Sequence, residues 1–504
     1  MQNADVHSQK QILKASGIVG FAQIITIIIR IFRTKIIAIL LGPAGVGIAG
    51  LYHSTVEMVR SATGLGLDFS AVRDVAEANG SGDHHRIGRT IKILRRWVWL
   101  TGILGLAVLV IFRKQFSRYA FNDTDHASEY LLLAIVPLFT AIGGGQMALL
   151  RGIRRIADVA RANVLGAAAG LLITVPLYWL MGVKGIVPAM ILSVMMELIL
   201  FWYFARRVKI TPVEITLRET VTGGAGMVRL GLFIIISGLM GSGSMYLMRI
   251  LIAHKMGVDG VGQFQAAWNM STIYVGLVLN SMAADFFPRL TEVNENKVKV
   301  CKMVNQQTEI ALLLAGPMIV GILCFLDVVI ITLYSNKFDQ CGTILLWQMA
   351  GNMLKVISWP MGFILLAKGK GSLFVLTEFS WNIIFLGSTW LLWDHVGFEV
   401  VGIAFIAGYL ALTGVFFIIS KRICGFSWSA ENKKLILFYA VITTLSFINV
   451  KFQALPFWRL ISMAMLVTAM IYSYRKLRTI VSFKVLIGKI LSKGGLSEVL
   501  KGKR

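Results

Sequence analysis

The chain has 504 residues, 56% of them hydrophobic and 15% charged, with a mean hydropathy of +0.73. That balance excludes a soluble domain of this length, and apolar runs continuous over about 20 residues, without alternation, exclude a transmembrane β-barrel. The net charge of +25 would suit nucleic acid only if it formed one basic surface, so its distribution decides that question.

The polar start, 1–14, runs into an apolar stretch too long for a secretory signal and without a small-residue cleavage site, so 14–41 is predicted to be the first span. Roughly 14 spans follow from the need for about 20 apolar residues per crossing. The fold class is therefore all-α, a polytopic membrane protein of about 14 transmembrane helices. Span one carries Arg30 and Arg33, one turn apart on the same face, with no acidic residue of their own span to pair with. Gly42-Pro-Ala-Gly-Val-Gly47 leads into span two (46–72), which holds His53, Glu57 and Arg60 and ends near Asp68 and Arg73. Glu57 lies three residues before Arg60, a spacing that pairs them on one helix face.

Spans three to six are predicted at 94–113, 129–150, 160–181 and 185–205. Gly143-Gly-Gly145 in span four suits close packing by small residues. Basic clusters precede span three (Arg86 to Arg96), follow span four (Arg151 to Arg161) and follow span six (Arg206, Arg207, Lys209). All three fall on one side, and the positive-inside rule makes that side, with both termini, cytoplasmic. The basic excess therefore reads as orientation and attraction to anionic membrane lipids, and no nucleic-acid partner is expected.

Span seven (226–252) is interrupted by Gly241-Ser-Gly-Ser244, which makes Gly241 and Gly243 hinge candidates, and carries Arg249 in its outer third, where snorkelling could also satisfy it. Gly257-Val-Asp-Gly-Val-Gly262 then leads into span eight (262–288), which ends with Asp285 and Arg289. The glycine motif and the Asp/Arg pair recur in the same order about 216 residues after their first appearance. A parallel repeat places a substrate path between two six-helix lobes around a central cavity. The predicted boundaries are 1–210 for the N-terminal lobe and 211–425 for the C-terminal lobe.

Spans nine to twelve are predicted at 306–334, 342–366, 371–393 and 399–420. Lys355 lies near the middle of span ten, and Glu378 on span eleven is its candidate partner. Two extra spans occupy 426–474, and 475–504 is a basic tail or a helix lying on the inner leaflet. Cys301, Cys324, Cys341 and Cys424 form no metal-binding pattern, and no Walker lysine, HExxH or GxSxG motif gives an enzyme a catalytic centre. A metal site and a cofactor are not expected.

The arginine-bearing first span running into Leu41 to Gly47 resembles the Wzx-type polysaccharide flippases of lipid III and O-antigen units, within the multidrug/oligosaccharidyl-lipid/polysaccharide exporter superfamily. The resemblance extends through Ser335 to Phe338, Trp347-Gln348, Leu354 to Val356, Leu366 to Lys368 and Thr377-Glu378, and covers approximately residues 10–420. It implies transport of an undecaprenyl-diphosphate-linked oligosaccharide across the bacterial inner membrane for polysaccharide biosynthesis, lipopolysaccharide O-antigen included. Other polysaccharide-assembly proteins are its implied partners.

Arg30, Arg33, Arg60, Arg249 and Lys355 are the candidate ligands for a diphosphate, because charge-assisted guanidinium bonds can replace the water such a group loses. His53, Glu57 and Glu378 are the candidates for protonation-linked movement. The energy source, H+ or Na+ exchange or the membrane potential alone, stays open. So do two rival functions: a multidrug or cation exporter of the same superfamily, which would want acidic residues to dominate its cavity, and a membrane-embedded polymerase or ligase acting on lipid-linked glycans.

Overall fold

In a bilayer the backbone has no water to bond, and a helix satisfies each amide within its own segment. The computed structural model describes residues 2–453 and 457–480, with the side chains of 2–21, 68, 69, 225–234 and 284 excepted, and among the described residues it contains helices and no strand. The expected tail falls largely on 481–504, outside the described residues.

In chain order the helices are α1 (Gln2–Thr63), α2 (Leu67–Gly80), α3 (His84–Phe121), α4 (Ala127–Leu133), α5 (Ile135–Gly152), α6 (Ile156–Met181), α7 (Ile186–Ala205), α8 (Leu217–Glu292), α9 (Lys297–Cys324), α10 (Leu326–Leu333), α11 (Cys341–Ala367), α12 (Gly371–Val396), α13 (Val400–Cys424), α14 (Ala430–Phe452) and α15 (Trp458–Ile480). Local chemistry sets their ends. Asp83 caps α3 by accepting from the amides of His85 and Arg86, Asn296 caps α9 by accepting from Lys299, and Ser429 caps α14 by accepting from Asn432. Thr216 and Glu219 form a reciprocal capping box at the start of α8, with the Thr216 amide donating to Glu219 at 2.7 Å and the Glu219 amide donating to Thr216 at 3.2 Å.

The two long helices are each broken at one glycine. Gly42 in α1 has φ 64° and ψ −171°, and Gly257 in α8 has φ 69° and ψ −172°. Only glycine takes such a backbone without strain. The next residue in α1, Pro43, begins a new rod, where its missing N–H costs nothing. The glycine motifs of the internal repeat thus share a backbone conformation.

Among the described residues, eight helical stretches are long and apolar enough to cross a membrane, and several of them hold two rods joined by a tight turn or by the Gly257 break. Counting rods separately, and adding the two of α1 and the single α15, fourteen membrane-length rods are present among the described residues. This is the polytopic architecture expected from hydropathy.

The chain divides into two compact units, 1–266 with 330–339, and 267–329 with 340–504. The first contains α1 to α7 and the start of α8. One of its cores gathers Tyr52, Val56 and Val59 of α1 with Leu109, Tyr130, Leu133 and Tyr178, and a second joins α2, α3, α5 and α7. In lipid such cores hold by close contact and interhelical hydrogen bonds rather than by escape from water. Gly145 shows the contact: a Cβ there would lie 2.9 Å from Val98. The connection from α7 to α8 is strapped to α3, where Lys92 donates to the Val213 carbonyl at 2.6 Å and Arg96 donates to the carbonyls of Ile215 and Thr216 and to the Thr220 hydroxyl.

In the second unit α11 packs on α9 and α13, and α9 packs on α14 and α15. Tyr439 of α14 fills the space left by Gly316 of α9, where a Cβ would come within 2.3 Å of its ring, and the Tyr439 hydroxyl bonds Ser473 of α15. Asn305 accepts from the Ser429 amide and from Asn432, joining α9 to the start of α14. Cys301 and Cys424, far apart in sequence, bring their sulfurs to 3.8 Å as free thiols.

Candidate functional site

Polar residues of α1 are distributed on both sides of the Gly42 break. Before it, Arg30 is exposed and Arg33 half-buried, and neither has a hydrogen-bond or ion-pair partner among the described residues. Arg33 lies along α6 because Gly170 has no side chain; a Cβ there would stand 3.2 Å from Arg33 Nη1.

Past the break, Arg60 donates from Nε to Glu57 at 3.0 Å and from Nη2 at 2.6 Å, a two-pronged pair whose side chains are 31% and 37% exposed. The pairing predicted from the i, i+3 spacing is present. His53 is also exposed and sits in the electrostatic field of Arg33, Glu57, Arg60 and Arg249. The imidazole therefore lies in the field of three guanidinium groups and one carboxylate.

Arg249 is built differently. It is only 6% exposed, its Nε and Nη2 donate to Gln265 at 3.0 and 2.6 Å, and its Nη1 donates to the Met245 carbonyl at 3.1 Å. It clasps α8 across the Gly257 break and lies against Gly50 of α1. Each guanidinium nitrogen donates within the protein, which gives Arg249 a packing role that Arg30 and Arg33 lack. The signal was Gln265, sixteen residues on and beyond a glycine that turns the chain back.

Glu197 is the residue that sequence reasoning missed. It is the one acidic side chain of α7, it is exposed, and with Arg60 and Thr140 it lines a cavity of about 90 Å³. A lone carboxylate in a 20-residue apolar run is itself a signal, since ionised groups at that depth persist mainly where they act.

In the second unit Lys355 of α11 stands with its ammonium 5.7 Å from the Tyr409 ring of α13 and within the field of Glu378 on α12. No direct ion pair joins Lys355 and Glu378 among the described residues. One turn before Lys355, Asn352 donates to the Ser271 hydroxyl at 2.8 Å, and Gln348 is buried with both amide atoms unpartnered.

At Gly241 and Gly243, the expected hinge, the backbone is helical in this conformation. The helix runs on through 241–244 with Ser242 bonded to the Gly238 carbonyl, and the non-helical backbone of α8 lies at Gly257. Glycines and serines permit a bend; a positive φ makes one. Asp285 and Arg289 form a 2.9 Å helix-end pair, whereas Arg73 pairs with Asp74 and the side chain of Asp68 lies outside the described ones.

The glycine motifs themselves meet. A Cβ on Gly47 would sit 1.9 Å from the Val258 carbonyl oxygen, and one on Gly262 would sit 1.9 Å from the Pro43 carbonyl oxygen. The contact is reciprocal, each motif pressing its glycine on the other's backbone.

Residues 36–343, more than half of the chain, match the family described as polysaccharide biosynthesis protein. The chain belongs to that family. This polysaccharide biosynthesis protein is 24% identical over 394 residues to the lipid III flippases of Escherichia coli (strain K12) and Shigella flexneri, a match covering 77% of this chain and 94% of each relative. Its fold is shared with the lipid II flippase MurJ in an inward closed conformation, with a TM-score of 0.70 at 11% identity, covering 91% of this chain and 99% of MurJ. It is also shared with an inward-facing multidrug resistance MATE family transporter of the MOP superfamily, with a TM-score of 0.64 at 19% identity, covering 78% and 94%. The family and fold are those expected from the motifs, and the named relatives are transporters.

Proposed function

We propose that this polysaccharide biosynthesis protein is a flippase that moves an undecaprenyl-diphosphate-linked oligosaccharide, an O-antigen or related surface-polysaccharide repeat unit, from the cytoplasmic to the periplasmic leaflet of the bacterial inner membrane by alternating access. The observation that carries the reading is the pair Arg30 and Arg33, two cations on one face of α1 without a protein counter-charge bonded to them. A diphosphate can supply that counter-charge, and each charge-assisted bond it makes is worth about 1.5–3 kcal/mol. The likeness to flippases named for lipid III supports a lipid-linked cargo. Drug and cation exporters fit less well, because cations outnumber carboxylates around His53.

Arg60 and Lys355 are further phosphate ligands in this proposal, and His53, Glu57 and Glu378 are its protonation-linked groups. No covalent step is required, and a potential negative inside favours outward movement of each negative charge by about 2.3 kcal/mol per 100 mV. Proton or sodium exchange would add to that force.

The test is flipping of a defined, fluorescent lipid-linked oligosaccharide in proteoliposomes. Arg30→Gln and Arg33→Gln should each weaken cargo binding by about 10- to 150-fold, the equivalent of one lost charge-assisted bond, while the thermal midpoint stays unchanged. Wild-type flipping in the double variant would refute the assignment.

A further inference from the structure

We propose that a groove between α3, α5 and α7 is a binding site for a glycerophospholipid with an anionic headgroup, separate from any transported cargo. The groove has a volume of about 300 Å³ and is lined by Arg95, Val98, Trp99, Gln146, Leu149 and Trp202, among others. It lies where the start of α3, the end of α5 and the end of α7 come together, and each of those ends carries a basic cluster. By the positive-inside rule this is an interfacial position, where lipid phosphates reside.

Two neighbouring arginines show why the site is more than a solvated basic face. Arg96 uses both of its terminal nitrogens to hold the connection to α8. Arg95, about 100° further round the helix, is exposed and has no hydrogen-bond or ion-pair partner among the described residues. A second cation stands at the groove's Trp202 wall: the Arg206 guanidinium lies 5.0 Å from the ring of Trp202, again with no carboxylate bonded to it among the described residues. The floor beneath them is apolar and aromatic, with Trp99 51% and Trp202 50% exposed. Free phosphate would leave that floor uncovered, and a zwitterionic lipid would bring its own trimethylammonium cation up against both guanidinium groups. A lipid whose headgroup is anionic overall satisfies both halves, its phosphate facing the Arg95 and Arg206 forks with no cation of its own and its acyl chain along Val98, Trp99 and Leu149. Gln146 adds an amide that can bond the glycerol or ester oxygens.

The experiment uses the intact protein in nanodiscs of mixed phosphatidylglycerol and phosphatidylcholine, each with a photoreactive acyl chain in turn, followed by peptide mapping and by native mass spectrometry of retained lipid. The expected result is labelling by phosphatidylglycerol of peptides containing residues 95–99 and 198–207, with retention about tenfold above phosphatidylcholine and unaffected by excess inorganic phosphate. The Arg95→Gln/Arg206→Gln double variant should lose that preference, and Arg113→Gln, at the other end of α3, should keep it. Equal retention of the two lipids by wild type, displacement by inorganic phosphate, or labelling confined to other peptides would each overturn the proposal without any variant. So would full preference in a double variant whose thermal midpoint matches wild type.

Discussion

Four arginines of the first unit have the same chemistry and four different situations. Arg249 is fully bonded to Gln265 and a carbonyl, Arg60 is held by Glu57, Arg33 rests against the bare backbone of Gly170, and Arg30 is exposed. Only the second was readable from spacing, since i, i+3 geometry is local while the Gln265 contact depends on how the chain turns at Gly257. The Glu57 and Arg60 pair makes a direct prediction. Residues in one salt-bridge network couple by about 0.5–3 kcal/mol, so the cycle of Glu57→Gln, Arg60→Gln and the double variant should give at least about 0.5 kcal/mol of coupling in detergent unfolding. Additive losses within about 0.3 kcal/mol would mean that the pair contributes nothing to the fold. Glu197 adds a second carboxylate beside Arg60 across the small cavity, an arrangement no periodicity could disclose because the two lie 137 positions apart.

At the scale of elements, the repeat was legible because glycine is needed wherever backbone must turn with positive φ, and such positions leave a trace in sequence. The reciprocal contact of the two motifs was not, because packing between distant helices has no period. It separates two kinds of glycine. At Gly47 and Gly262 a methyl group meets a carbonyl oxygen at 1.9 Å, so Gly47→Ala and Gly262→Ala should cost about 1–3 kcal/mol, the range for overpacking, or more. At Gly241 and Gly243 a Cβ meets nothing within 4 Å and the backbone is helical, so alanine there should stabilise α8 by about 0.4–1 kcal/mol. Thermal unfolding of the four single variants distinguishes the tight crossing from the open helix, and destabilisation at 241 or 243 would reinstate those glycines as a required bend.

The start of α8 carries a pH dependence. The Thr216 amide and hydroxyl hold the Glu219 carboxyl below the usual glutamate range. A carboxyl depressed in the folded state contributes its stabilisation above the ordinary value of about 4.3 and loses it as pH falls through its folded value. Hydrogen exchange at residues 217–222, corrected for intrinsic rates, should therefore be faster in Glu219→Gln than in wild type at pH 7, and the difference should shrink only below the ordinary glutamate range, as pH falls through the depressed folded-state value. A difference that persisted in acid would assign the protection to something other than this cap.

For the molecule as a whole, helix number and class followed from hydropathy, because the bilayer demands one length and one backbone solution from every crossing. What the last two helices do did not follow, because α14 and α15 lie beyond the motifs that carried the family resemblance. Their packing answers it: Tyr439 of α14 occupies the place of the missing side chain at Gly316 of α9 and is bonded to Ser473 of α15, and Asn305 of α9 receives the start of α14. An appended pair of helices would leave α9 complete without them, whereas this one finishes its packed face. Truncation after residue 429 exposes that slot to lipid and removes Asn432 from Asn305, leaving small and polar groups without the contacts that replace them. The truncated protein should therefore unfold at a lower temperature, and Gly316→Leu in the full chain should lower the midpoint as well by displacing Tyr439. If both variants unfold with wild-type midpoints, α14 and α15 are an attachment and the second unit is complete at α13.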